Sequence, residues 1–158
     1  MEIWELVARE NARDLVARYN ACGDADEIDE LVSLFARDAV LDVGDWGRHE
    51  GRDAIRAFFE GVRRPMAAGA ASERRLIRHF TATHRIDVER EGEARGQCYF
   101  LVLTGDGLDH WGRYLDLYTI EDGAWRFARR EVVVEGVTPG GWAAARRARQ
   151  AQEQQQQQ

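Results

Sequence analysis

The sequence predicts an α+β domain, with helices gathered in its first half and an antiparallel sheet in its second. Two observations carry that prediction. Up to Val62 the apolar residues recur mostly at helical spacing, whereas from Leu76 onward they alternate with polar ones. The alternating segments are also joined by short glycine-containing turns, at Glu91-Gly92, Gly105-Asp106-Gly107 and Asp122-Gly123. Such turns connect neighbouring antiparallel strands. Helices that precede one such sheet pack on one of its faces.

Taken in order, Trp4, Val7, Ala8, Ala12, Leu15, Val16 and Tyr19 mark a first helix from about Glu2 to Ala21. Gly23 is predicted to end it. Asp24 or Asp26 is predicted to cap a second helix that holds Ile28, Leu31, Leu34 and Phe35. A short strand follows at Val40 to Val43, then a turn at Gly44-Asp45, with Trp46 to His49 a second short strand or a loop. Gly51 leads into a third helix, with Ile55, Phe58, Phe59 and Val62 on one face, and Pro65 is predicted to stop it. Met66 to Ser72 reads as a mobile loop. The sheet then comprises four strands, Leu76 to Val88, Glu93 to Thr104, Asp109 to Ile120 and Trp125 to Val134. Thr138-Pro139-Gly140-Gly141 breaks the alternation. The domain is therefore assigned to residues 1–137. Residues 138–158, rich in alanine, arginine and glutamine without an apolar stripe, are assigned to a frayed or disordered tail.

A chain of 158 residues suits one domain with a core of its own. Its net charge of -6, with arginines interspersed among acids, argues against nucleic-acid binding. No apolar run approaches the roughly 20 residues of a membrane span. Met1 to Glu5 lack a basic segment before an apolar one, so no signal peptide is expected and the predicted location is cytoplasmic. Cys22 and Cys98 lie among apolar or small residues and read as core thiols in a reducing compartment, although spacing alone leaves a disulfide open.

The four histidines differ in context. His79 lies on the first long strand. His84 has the opposite strand parity and should face away from it, as a surface or interface residue. His49 follows Trp46 near the third helix, on a loop that lines a pocket or is plain surface. His110 shares parity with Gly112, Tyr114, Asp116 and Tyr118, which makes that face a candidate cavity wall and Tyr114 and Asp116 candidate site residues. Trp46 and Phe58 are core by default, yet some aromatics must line any apolar cavity. Trp46, His49, Phe58, His110, Tyr114 and Asp116 are therefore the candidate substrate-binding residues. No histidine pair has a usual ligand spacing and the cysteines are isolated, so no metal is expected. The glycines sit in turns rather than in a phosphate-binding loop. Arg129 and Arg130 read as salt-bridge partners on the sheet.

Asp24 before the second helix, Gly51-Arg52-Asp53-Ala54-Ile55 at the third, Arg78-His79-Phe80 on the long strand, Gly112-Arg113-Tyr114-Leu115-Asp116, and Asp122-Gly123-Ala124-Trp125-Arg126-Phe127-Ala128-Arg129-Arg130 occur in a telling order. Together they resemble a SnoaL-like domain of the nuclear-transport-factor-2-like cone superfamily, over nearly the whole chain to about Val134. The resemblance implies a cone, in which three N-terminal helices pack in the concave face of a strongly curved antiparallel sheet. Members include scytalone dehydratase, bile-acid 7α-dehydratase, hexachlorocyclohexane dehydrochlorinase, isomerases, polyketide cyclases and dioxygenase small subunits, so fold alone does not choose the reaction.

Residue by residue, the resemblance lays Asp24 and His79 on the Asp-His pair of the dehydratases and the dehydrochlorinase, and Tyr19 on the tyrosine of the bile-acid enzyme. The second histidine of scytalone dehydratase corresponds to Leu103 here, so its two-histidine arrangement is absent at that position, and His110 on the next strand is the candidate substitute. The implied catalytic residues are thus Tyr19, Asp24 and His79. Neutral imidazole, with a reference pKa of about 6.5, suits proton removal from carbon. An aspartate on its other nitrogen fixes the tautomer, and a tyrosine hydroxyl can assist the leaving group. That chemistry needs no cofactor. The expectation is a cofactor-independent lyase of the dehydratase type acting on a mid-sized apolar or polycyclic metabolite. The alternatives are an isomerase or polyketide cyclase on the same base, or a non-catalytic small subunit or binding module. Phe80, Ile86, Trp111, Leu115 and Leu117, opposite the His79 and Tyr114 faces, form an apolar patch too large to leave in water, and so imply a homo-oligomer, a dimer or trimer by resemblance.

Overall fold

The computed structural model describes residues 1–67 and 76–156. They form α1 (Ile3–Ala25), α2 (Ile28–Ser33), β1 (Phe35–Asp42), a 3-10 turn (Gly44–Trp46), β2 (Arg48–Glu50), α3 (Gly51–Ala67), β3 (Ile77–Arg90), β4 (Glu93–Thr104), β5 (Gly107–Glu121), β6 (Ala124–Val137) and α4 (Trp142–Gln156). The six strands make one curved sheet in the order β2-β1-β6-β5-β4-β3. Strands β3 to β6 are the predicted antiparallel meander. Strand β1 joins its far side by pairing in parallel with β6, which the short turns of the meander could not reveal. Helix α1 packs against β3, β4 and β6, and α3 against β1 and β2. The α+β cone architecture is thus present.

Alanines and aliphatics at helical spacing, Ala8, Ala12, Leu15, Val16 and Tyr19, form the buried stripe of α1. Glu2 and Glu5 make a reciprocal capping box at its start. The helix does not end at Gly23. It continues to Ala25, because Asp26 adopts the left-handed conformation (φ 65°) that closes a helix, and its N–H reaches the carbonyls of Cys22 and Gly23. Asp24 therefore belongs to the last turn of α1, and neither Asp24 nor Asp26 caps α2, whose N-cap is Glu27. Phe35 is not helical either. It opens β1, opposite Phe127 of β6, and both rings are buried. Helix α3 passes through Pro65 to Ala67. The proline lies within the last turn, where it removes one backbone N–H. The rest of the predicted 66–72 loop lies outside the described residues.

Two further differences matter for the site. Between Ala82 and Arg85, β3 takes three steps while β4 takes two, from Tyr99 to Gln97. This is a β-bulge at Thr83 and His84, and Thr83 has a positive φ of 53°. It reverses the parity of β3, so His84, Ile86 and Val88 turn toward the same side as His79. Ile86 is 3% exposed and so does not belong to the outer apolar patch. At the other end of the chain, Trp142–Gln156 form α4 where the sequence predicts a frayed or disordered tail. Its first turn is anchored by the Asp109 carboxylate, which accepts from the N–H of Trp142 (2.6 Å) and Ala143 (3.2 Å).

Candidate active site

Helices α1, α3 and α4 and the concave side of the sheet enclose a cavity of about 170 Å³, lined mainly by apolar atoms. Tyr19 of α1, Trp46 of the 3-10 turn, Phe58 of α3, His79 of β3, and His110 and Tyr114 of β5 all line it. Asp24 stands behind His79. Its Oδ1 accepts from His79 Nδ1 at 2.6 Å and its Oδ2 from the His79 backbone N–H at 3.0 Å. One carboxylate on the last turn of α1 thus fixes both the strand and the ring. With Nδ1 as donor, Nε2 is left as the acceptor.

A second Asp-His pair faces the same cavity. His110 Nδ1 donates to Asp109 Oδ2 at 2.7 Å. Burial pulls the His110 imidazole below its ordinary value, and Asp109 opposes that pull. Trp142 of α4 completes the wall beside it, with ring centroids 6.1 Å apart.

The cavity floor rests on a buried charge. The Arg130 guanidinium lies 4.2 Å from the Tyr19 ring, 4.1 Å from Tyr114 and 4.2 Å from Phe127. Asp116 accepts from it twice, at 2.8 and 2.7 Å. Tyr118 donates to the same carboxylate at 2.9 Å, and His84 Nε2 is 3.2 Å from the Tyr118 hydroxyl. Burial works against the Arg130 charge, but Asp116, together with Tyr19 and Tyr114, outweighs it and the net shift is upward. Burial also raises the Tyr19 phenol, opposed by Arg130, and raises Tyr114 strongly. Both tyrosines are therefore proton donors at neutral pH. Tyr114 uses its hydroxyl on Asn20 Oδ1 at 3.3 Å.

Of the residues singled out in the sequence, Tyr19, Trp46, Phe58, His79, His110 and Tyr114 converge on the cavity, with Asp24 in contact behind. His49 and Asp116 do not line it. The His49 ring lies tilted against Phe58, with centroids 4.5 Å apart, and its Nε2 donates to the Trp46 carbonyl at 3.3 Å. Asp116 is spent on Arg130. His84 faces inward rather than away, for the reason given by the bulge. Asp109 and Trp142 were not singled out. Strand alternation places Asp109 opposite His110, but β5 takes two steps, from Leu108 to His110, against one on β4. Asp109 is the extra residue of a second bulge, and so it and His110 are both buried. Among the described residues one set of donors could hold a metal, Cys22 with Glu27 and Glu30, and none of the three lines the cavity.

A curved sheet wrapped over N-terminal helices, with an apolar cavity and inward-facing polar groups, defines an α+β cone protein of the nuclear-transport-factor-2-like type. Residues 4–131 match the SnoaL-like domain family, and the chain belongs to it. No curated protein matches the chain in sequence. Among solved structures, a candidate scytalone dehydratase from Novosphingobium aromaticivorans superposes with a TM-score of 0.74 at 24% identity, covering 87% of this chain and 91% of that one. A hexachlorocyclohexane dehydrochlorinase superposes at 0.73 and 18% identity, over 90% and 95% of the two chains. The beta subunit of a candidate aromatic-ring-hydroxylating dioxygenase from N. aromaticivorans gives 0.69 and 17%, over 85% and 93%. These likenesses establish the shared fold.

Proposed function

We propose that the protein is a cofactor-independent lyase of the dehydratase type, with His79 as base, Asp24 as its orienting carboxylate and Tyr19 as hydroxyl donor. The observation that carries this reading is the 2.6 Å contact between Asp24 and His79 Nδ1 at the wall of an apolar cavity. His79 Nε2 takes a proton from a carbon of the substrate, and the C–H electron pair becomes the new double bond. The leaving group departs with its bonding electrons, aided by a hydrogen bond from Tyr19, and the imidazolium then returns the proton to it. Trp46, Phe58, His110 and Tyr114 hold the substrate. A cavity of about 150 Å³ accommodates benzene, so 170 Å³ suits a compound of one or two rings better than a polycyclic one. The buried free thiols of Cys22 and Cys98, the latter pushed up to about 11 by burial, are inert and suit a reducing, cytoplasmic compartment.

The test is a screen of small hydroxylated ring compounds for water loss, followed by substitution. His79→Gln should abolish turnover with the fold intact, Asp24→Asn should cost nearly as much, and Tyr19→Phe about a hundredfold. The three losses should not add, because the residues act as a unit. Normal turnover by His79→Gln would remove the base from this scheme. An isomerase or cyclase would use the same base and would show itself by products that retain the hydroxyl. The likeness to a dioxygenase beta subunit favours a second reading, a non-catalytic subunit, which predicts a stoichiometric larger partner in the native complex.

A further inference from the structure

His79, Val102 and His110 are successive partners across β3, β4 and β5. Residues directly opposite one another in a sheet share a face, and all three line the cavity. Neighbouring strands are about 4.8 Å apart, so the two histidines stand on the order of 10 Å apart at the backbone. Each ring gives its Nδ1 to a carboxylate of its own, Asp24 for His79 and Asp109 for His110. Each is thereby held in the tautomer that leaves Nε2 as an acceptor.

The second pair is built for permanence. Asp109 is 2% exposed and His110 7%. The carboxylate accepts from the ring and from two N–H groups of the first turn of α4, so its orientation, and with it the His110 tautomer, is fixed by three donors. Burial keeps the imidazole neutral. A neutral ring with a free acceptor does not suit an anion, which brings no proton and faces Asp109 at close range. A cation is disfavoured too. The Arg146 guanidinium already lies 4.3 Å from the Trp46 ring and 5.5 Å from Trp142, the rings that flank His110. What remains is a neutral O–H donor on an apolar, ring-shaped molecule.

We infer that the Asp109–His110 pair is the hydroxyl-binding part of this cavity, where His110 Nε2 accepts a hydrogen bond from a phenol or enol while His79, on the same face of the sheet, meets the far edge of the ring. His110 thereby sets which hydroxylated compounds enter, and α4 is part of the site because it holds Asp109 in place. The inference rests on the cavity being the substrate site proposed above, and not on elimination being the reaction.

Equilibrium binding of 2-naphthol and of naphthalene, measured by calorimetry, tests it without turnover. A site built to accept a hydroxyl proton loses a buried hydrogen bond with the analogue that lacks it. The wild-type protein should bind 2-naphthol about tenfold more tightly than naphthalene. His110→Phe should erase that preference, so that 2-naphthol and naphthalene bind about equally. His79→Gln should keep it. No preference in the wild type, a preference that survives in His110→Phe, or one lost only in His79→Gln would each overturn the assignment. Should His110→Phe bind neither compound, ring-nitrogen NMR of the wild type decides. His110 Nε2 should be unprotonated and respond to 2-naphthol but not to naphthalene, and a protonated or unresponsive Nε2 overturns the assignment. Loss of turnover in His79→Gln, by contrast, bears on the proposed reaction alone.

Discussion

Asp116 holds Arg130 through two hydrogen bonds, and neither side chain reaches solvent. A buried pair of this kind contributes little net energy when whole, yet losing one partner strands the other charge. Asp116→Ala should therefore destabilise the protein by about 3–5 kcal/mol, measured by urea unfolding. The rings of Tyr19 and Tyr114, which rest on Arg130, should lose order with it. The buried imidazoles give a pH dependence of definite sign. Burial lowers His84 and His110 below the ordinary value of 6.5. The unfolded chain then binds more protons than the folded one as pH falls through about 6.5. Folding stability should accordingly be full above that pH and should drop below it, toward the lowered values in the fold. His84→Gln should flatten the drop in urea midpoints between neutral and mildly acid buffer. An unchanged slope would show that His84 does not contribute.

The pattern of elements was legible wherever period and turn chemistry agreed. The buried stripe of α1, the meander from β3 to β6, and the alternation of His110, Gly112, Tyr114, Asp116 and Tyr118 along β5 all follow from it. What was hidden depends on single inserted residues or on distant polar anchors. The bulge at Thr83 turns His84 and Ile86 inward, and the bulge at Asp109 gives His110 its carboxylate. Neither leaves a mark in hydrophobic periodicity. Helix α4 has no apolar stripe to read, because an aspartate from β5 and the stacking of Arg146 on Trp46 hold it. Deleting Thr83 tests the bulge directly. It should restore regular parity, expel Ile86 from the core and cost on the order of 2–5 kcal/mol, as loss of a large buried aliphatic does. A urea midpoint equal to that of the wild type would mean that the strand absorbs the deletion elsewhere.

At the scale of the molecule, the outer face of the sheet is what the helices of the described residues leave uncovered. Phe80, Leu101 and Trp111 are successive partners across β3, β4 and β5, and they are 52%, 37% and 38% exposed. The row continues to Gly136 on β6, where a Cβ would lie only 2.2 Å from the Trp111 ring, so the glycine lets the indole lie flat along the sheet. Tyr99, 49% exposed, extends the patch into the next row. A contiguous apolar face of this kind is a place of association, and further copies of the chain can cover it, face to face in a dimer or head to tail in a closed ring. The protein should therefore sediment as a homo-oligomer, a dimer or trimer, at micromolar concentration. Phe80→Lys combined with Leu101→Lys should reduce it to the 18.0 kDa chain. Both side chains point away from the cavity, so 2-naphthol binding should survive in the monomer. Sedimentation of the wild type as an 18.0 kDa species alone would rule the association out.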